Sequence, residues 1–149
     1  MILGKMIEVS EKAKKPLRKA NSQGRLKKKL DAVFSKYIRQ KHSRGGFCYC
    51  YTCGKRMEMK EAQCGHFVSR TYLSTRWDES NCRPQCVGCN LWGNGKPLDF
   101  EEKLKKEIGA AKVEKLKMKR HTILKVSSPW YEEQIEHYQS LLDQLLATR

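Results

Sequence analysis

Cys50-Tyr51-Thr52-Cys53 and Cys86-Val87-Gly88-Cys89-Asn90 are two Cys-x-x-Cys turns, with 32 residues between Cys53 and Cys86. In such a turn two sulfurs converge while the backbone amides face them, and two turns supply the four thiolates of a closed tetrahedral zinc site. The spacer is longer than a minimal zinc ribbon needs, so the chain between the pairs must form structure of its own. A four-thiolate ion has no open coordination position; it braces a fold and activates no water. Cys48, Cys64 and Cys82 stand outside the pairs. Their expected role is that of small buried apolar side chains, with Cys48 or Cys82 as a substitute ligand the other reading.

Working outward, the chain of 149 residues suits one modest core with helical additions, small enough for a metal staple to matter. Seven cysteines, clustered between Cys48 and Cys89, make an odd and one-sided disulfide framework. Metal binding in a reducing compartment fits better, and the expected location is the cytoplasm, the host cell's if the chain is phage-encoded. No apolar run has the length of a membrane span, and the N-terminus lacks the apolar core of a signal peptide, so no membrane partner is expected. Thirty-one lysines and arginines against 16 acids give a net charge of +15, a field that attracts polyanions. Split at residues 45 and 97, the net charge is +11, +3 and +1. The cationic N-terminal part therefore points to nucleic acid.

Residues 1–22 are expected to be a flexible basic arm, too polar to offset the entropy of ordering. Residues 23–45 hold Leu26, Leu30, Val33, Phe34, Tyr37 and Ile38 at helical spacing. Arg25, Lys27, Lys28, Lys29, Lys36 and Arg39 surround that stripe and are candidates for phosphate contact. Residues 46–97 form the zinc-braced core. Within it Lys55 to Phe67 is expected to supply a hairpin, Ser69 to Asn81 a loop, and Cys86 to Trp92 one or two helical turns ended by Gly93-Asn94-Gly95. Residues 98–149 read as helices marked by Phe100, Leu104 and Ile108, by Val113 and Leu116, and by a last stripe of Tyr131, Ile135, Tyr138, Leu142 and Leu145. Ser128 is expected to cap that last helix with Pro129 following it. The stripe is a core face first, and the one visible surface for a homodimer second.

Since the zinc cannot do chemistry, catalysis needs a second centre. His66 can take a proton from water near neutral pH, and Asn90, Asp78 and Glu79 offer oxygen to a hard divalent ion. A base and such an ion on either side of a phosphodiester suit in-line hydrolysis. The order Cys50-x-x-Cys53, Gly65-His66-Phe67, Asn81 and Cys86-x-x-Cys89-Asn90 resembles the His-Asn-His, or ββα-metal, nucleases. Closer still is the resemblance to the phage NinG/Rap recombination nucleases, related to zinc-knuckle nucleases of the endonuclease VII type. It rests on Cys64-Gly65-His66-Phe67-x-x-Arg70, Arg76-Trp77-Asp78-Glu79-x-Asn81, Gln85-Cys86-x-x-Cys89-Asn90 and Gly93-Asn94.

The resemblance implies an α+β fold: a small zinc-braced ββα-metal core, treble-clef-like, with flanking helices. It implies a magnesium- or manganese-dependent endonuclease for branched recombination DNA such as Holliday junctions and displacement loops. His66 would be the base, Asn81 would brace its loop, and Asn90 would give a carbonyl oxygen to the catalytic ion. Arg70, Arg76 and Arg83 would grip phosphates. Many of these nucleases carry aspartate directly before the histidine, where this chain has Gly65. On the nuclease reading, Asp78 or Glu79 replaces that carboxylate, or substrate phosphates and water hold most of the ion. The alternatives are a non-catalytic zinc module that binds DNA or RNA, and an interaction protein that recruits a nuclease through its last helix.

Overall fold

The structure, a computed structural model, describes residues 20–148, so the basic arm lies almost wholly outside the described residues. Helix α1 spans Ala20–Lys41, with Leu26, Leu30, Val33, Phe34, Tyr37 and Ile38 along one face. It stops before Gly45 and Gly46, whose φ values of 57° and 79° turn the chain out of the helical region. Helix α5, Ser128–Ala147, lays Tyr131, Ile135, Tyr138 and Leu142 on the α1 stripe. Phe34 meets Tyr138 edge to face at 4.8 Å between ring centroids, and the Tyr138 hydroxyl donates to the Trp77 carbonyl at 2.8 Å. Each large side chain so buried contributes about 2 kcal/mol.

The C-terminal stripe is a core face, as expected, and one other expectation is corrected. The stripe is covered by α1 of the same chain, so a homodimer through it would have to open this core. The helix cap lies one residue earlier than expected: Ser127 accepts from the Trp130 amide, which puts Ser128 and Pro129 in the first turn.

Between these helices the mixed α+β core is built from two short antiparallel sheets. Strand β1, Phe47–Tyr49, pairs with β2, Arg56–Glu58. The first Cys-x-x-Cys turn is the loop between them, closed by Gly54 at φ 76° and by its amide donating to the Cys50 carbonyl at 2.8 Å. Strand β3, Gln63–His66, pairs with β4, Cys82–Gln85, in a register that sets His66 opposite Cys82. The expected hairpin within Lys55 to Phe67 is thus not formed. Lys60 and Glu61 do lie in a turn, but β2 is already bonded back to β1 and β3 takes its partner from beyond residue 81. Ser69 to Asn81, expected as a loop, carries a short helix α2, Leu73–Arg76, and a 3-10 turn, Glu79–Asn81.

After β4 comes a π-helical turn, Gly88–Trp92, holding Cys89 and Asn90, then α3, Pro97–Ile108, and α4, Ala110–Lys119. Phe100, Leu104, Val113 and Leu116 form a second core with Val68, against which Tyr51 and Phe67 pack. That core joins the first knuckle to the segment just beyond His66. No helix among the described residues is long and apolar enough to cross a membrane.

Candidate metal centre and catalytic cleft

The sulfurs of Cys50, Cys53, Cys86 and Cys89 all lie within 4.8 Å of one another, those of Cys53 and Cys86 at 3.8 Å. A tetrahedron with Zn–S bonds of about 2.3 Å has edges of about 3.8 Å, so the cluster could hold a structural zinc ion. The sheets place the turns: the Tyr51 amide donates to the Pro84 carbonyl at 2.8 Å, tying the first knuckle to the end of β4. Burial pushes the Cys50 thiol up, but donors from the backbone of Cys53, Thr52 and Cys86 and from the Thr52 hydroxyl outweigh it and bring it to about 6. This amide cage around a sulfur stabilises a thiolate ready for a cation. Cys48 is buried in the same small cluster, with Met57 and Ala62.

Gln85, fully buried, connects knuckle and strand. Its Nε2 donates to Thr52 Oγ1 at 3.1 Å and to the Gly95 carbonyl at 2.9 Å. Because Thr52 Oγ1 accepts that bond, its own proton is free for Cys50 Sγ at 3.5 Å. Thr52→Val, which keeps the shape and removes the hydroxyl, is expected to weaken zinc affinity about tenfold, read by competition with a chromogenic chelator. The rest of the Gln85 side chain lies against Gly65. A Cβ at position 65 would fall 2.1 Å from Gln85 Oε1 and 2.7 Å from its Cδ, so the glycine is a steric requirement of this packing.

His66 and Asn90 come together in a cleft of about 450 Å³ that is also lined by Asp31, Arg39, Lys60, Glu61, Gln63, Cys64 and Arg70. His66 Nε2 lies 2.9 Å from the Arg76 carbonyl. A carbonyl only accepts, so Nε2 carries the proton of the neutral ring and Nδ1 keeps the lone pair. Burial lowers the His66 pKa below the usual histidine value, the Arg70 and Arg76 charges act in the same direction, and the carbonyl contacts oppose them. The ring is therefore neutral and basic at neutral pH. Asn90 Nδ2 donates to Gln63 Oε1 at 2.7 Å, which orients the Asn90 carbonyl oxygen as a free acceptor. Asn81, fully buried, accepts from the Val68 amide at 2.7 Å and donates to the Val68 and Thr75 carbonyls at 2.9 and 3.0 Å. It locks the chain leaving His66 to the chain arriving at β4, as a positioning residue.

Four expected site residues are elsewhere engaged. Asp78 is paired with Lys119 at 2.6 Å and accepts from the Ser80 amide; Glu79 is paired with Lys41 at 2.6 Å and takes the Tyr37 hydroxyl. Neither lines the cleft of His66 and Asn90. Arg83 is buried, its guanidinium on Glu107 and on the carbonyls of Glu79 and Cys82. Arg76 is buried as well, bidentate on Asp31 at 2.8 and 2.6 Å. Both arginines hold the fold together and have no free face for a phosphate. Arg70 remains exposed at the cleft, and Arg39, half-buried, lines it from α1. Arg25, Lys28, Lys29 and Lys36 are exposed on α1, and Lys27 is half-buried.

Asp31 also accepts from Trp77 Nε1 at 2.9 Å and from Arg70 at 3.3 Å. Burial raises its pKa, but Arg76, Trp77 and Arg70 together bring it below the ordinary carboxylate value. A depressed folded pKa contributes stability above the unfolded pKa, near 4, that is lost as pH falls through the folded value. Asp31→Asn is expected to cost about 3 kcal/mol in urea unfolding at pH 7, since Arg76 stays buried without its counter-ion, and to flatten the stability loss below about pH 4.

The cleft therefore contains residues that sequence reasoning did not single out, among them Asp31, Lys60, Glu61 and Gln63. Asp31 had a visible signal, as the one acid within Ala20–Lys41. Beside the cleft, Leu91 and Trp92 are exposed, Trp92 at 82% of its surface.

The family model described as "Bacteriophage Lambda NinG protein" matches residues 5–147. No curated protein and no solved structure matches the chain.

Proposed function

Since this chain belongs to the NinG family, a phage recombination-associated family, we propose that it is a structure-selective DNA endonuclease acting on branched intermediates such as Holliday junctions and displacement loops. The observation that carries the reading is His66: a half-buried, neutral imidazole whose Nε2 proton is fixed on a carbonyl, in a cleft shared with Asn90 and three cations. On the ββα-metal reading of the core, β3 and β4 present the base and the π-helical turn presents Asn90.

In the proposed reaction His66 Nδ1 takes the proton of a water molecule while the water oxygen bonds to phosphorus and the bond from phosphorus to the 3′-oxygen breaks. Asn81 keeps His66 in place through the Phe67 and Val68 backbone. The donor set suits magnesium or manganese held mostly by phosphate and water: Asn90 Oδ1 is one oriented oxygen, and Asp31, half-buried on the cleft wall, is committed to arginine. Such an ion, bound through Asn90, would neutralise charge on the departing 3′-oxygen. Arg39, Lys60 and Arg70 on the cleft walls and the exposed cations of α1 would take backbone phosphates from converging duplexes. Trp92 offers an aromatic face to a base unstacked at a branch.

The test is cleavage of a labelled four-way junction beside linear duplex and single strand, with magnesium or EDTA. Magnesium-dependent junction cutting is expected, reduced about a hundredfold or more in His66→Ala with junction binding and the knuckle zinc retained. Because His66 is depressed, the rate should hold down to pH values below the ordinary histidine pKa before it falls. A second reading has its own observation: Gly65 stands where a carboxylate would be, Asp31 is committed to arginine, and Glu61, also lining the cleft, accepts from the Glu58 amide. Tight junction binding with no cutting in magnesium or manganese would establish a non-catalytic DNA-binding module instead.

A further inference from the structure

We propose that Cys64, His66 and Cys82 form a second metal site, distinct from the four-cysteine knuckle, that takes a soft divalent ion such as zinc and by doing so withdraws His66 from proton transfer. The sulfurs of Cys64 and Cys82 and a ring nitrogen of His66 all lie within 4.8 Å of one another, the same closeness found among the four knuckle sulfurs. The sheet explains the convergence. In the β3–β4 register His66 stands opposite Cys82, and Cys64, two residues from His66, shares its face. Two thiols and an imidazole are the donor set of a three-ligand zinc site, which keeps its fourth position for water.

Access is one-sided. Cys82 is fully buried, with its sulfur 3.9 Å from the same Arg76 carbonyl that receives His66 Nε2. Cys64 and His66 line the cleft, so an ion would arrive from the cleft and leave its open position facing it. Binding forms two metal–sulfur bonds and one metal–nitrogen bond, releases the two thiol protons to solvent, and transfers no electrons. On the ring the ion either takes up the lone pair of Nδ1 or, with the ring proton moved to Nδ1, binds Nε2 and breaks its bond to the Arg76 carbonyl. The free Nδ1 lone pair and the Arg76 bond are both needed for His66 to accept a proton from water while held in place. The site stands on geometry alone; only its consequence for catalysis rests on the nuclease reading.

The test is zinc stoichiometry by equilibrium dialysis of the reduced full chain against a small molar excess of zinc, with a phosphine reductant present so that no disulfide forms. Two equivalents are expected for the native chain and one for Cys64→Ser and for His66→Asn. The retained equivalent reports that the knuckle, and so the fold, is intact. Loss of a ligand should weaken the second site by at least the roughly hundredfold that a lost outer partner already costs. One equivalent on the native chain, or two on both variants, would overturn the site. If the chain cuts junctions, excess zinc should inhibit it, and Cys64→Ser should need at least tenfold more zinc for the same inhibition. Equal sensitivity would overturn the regulatory role while leaving the stoichiometry to judge the site. A chain that cuts nothing would count against the nuclease reading alone.

Discussion

Cys53→Ser, or stripping the native chain with a strong chelator, is expected to unfold the knuckle region while α1 and α5 stay associated. Cys53 is the exposed member of the four, so its replacement removes a ligand without opening a cavity. The reason for a large effect is the composition of the local core. Its buried members are Cys48, Cys50, Met57, Ala62 and Cys89, so the knuckle has only two apolar side chains that are not cysteine. Two such side chains supply a few kcal/mol of burial, against about 10 kcal/mol or more for a structural zinc ion. The α1–α5 pair has its own core of Leu30, Phe34, Tyr37, Ile38 and the facing α5 residues and does not depend on the ion. Amide hydrogen exchange should therefore lose protection over residues 47–66 and 82–92 and retain it in both helices. Unchanged exchange in the knuckle after verified metal removal would show that the sheets hold without the ion.

What the sequence disclosed follows the range of the interactions. The paired Cys-x-x-Cys turns, the stripe from Leu26 to Ile38 and the stripe from Tyr131 to Leu142 are local patterns, and each could be placed on its element from spacing alone. Which stripe covers which was not legible, because a face that fits α1 would serve a second copy of the chain equally well. Strand pairing failed for the same reason. Nothing local to Lys55 to Phe67 says that β3 bonds to residues beyond the Asn81 turn. Charge was the most misleading signal. Arg76 and Arg83 look like Arg70 in sequence, yet Asp31 lies 45 residues from Arg76 and Glu107 lies 24 from Arg83, and these partners decide that both arginines are buried. Asn81 stands out in sequence only by its place in a motif, whereas its three bonds to Val68 and Thr75 give the physical reason for an amide there.

Gly65→Asp, which would introduce the carboxylate common before the histidine in ββα-metal nucleases, is expected to destabilise the chain by about 4 kcal/mol or more and to gain no activity. The first carbon of any side chain at this position would overlap Gln85 Oε1 at 2.1 Å, and Gln85 cannot retreat freely because its amide is bonded to Thr52 and Gly95. Overpacking of this kind costs typically 1–3 kcal/mol, and the carboxylate would add the cost of an unpaired charge at a buried backbone position. Displacing Gln85 would also remove the donor that orients Thr52 toward Cys50, so the damage should extend to zinc affinity. Gly65 and Gln85 are thus one structural choice: the space at position 65 is used to support the knuckle. The double variant Gly65→Asp with Gln85→Ala separates the two effects. It should recover part of the stability lost in Gly65→Asp, by relieving the overlap, while zinc affinity stays low, because Thr52 still lacks its donor. Equilibrium unfolding and zinc competition on the single and double variants measure this directly, and a fully stable Gly65→Asp chain would refute the packing argument.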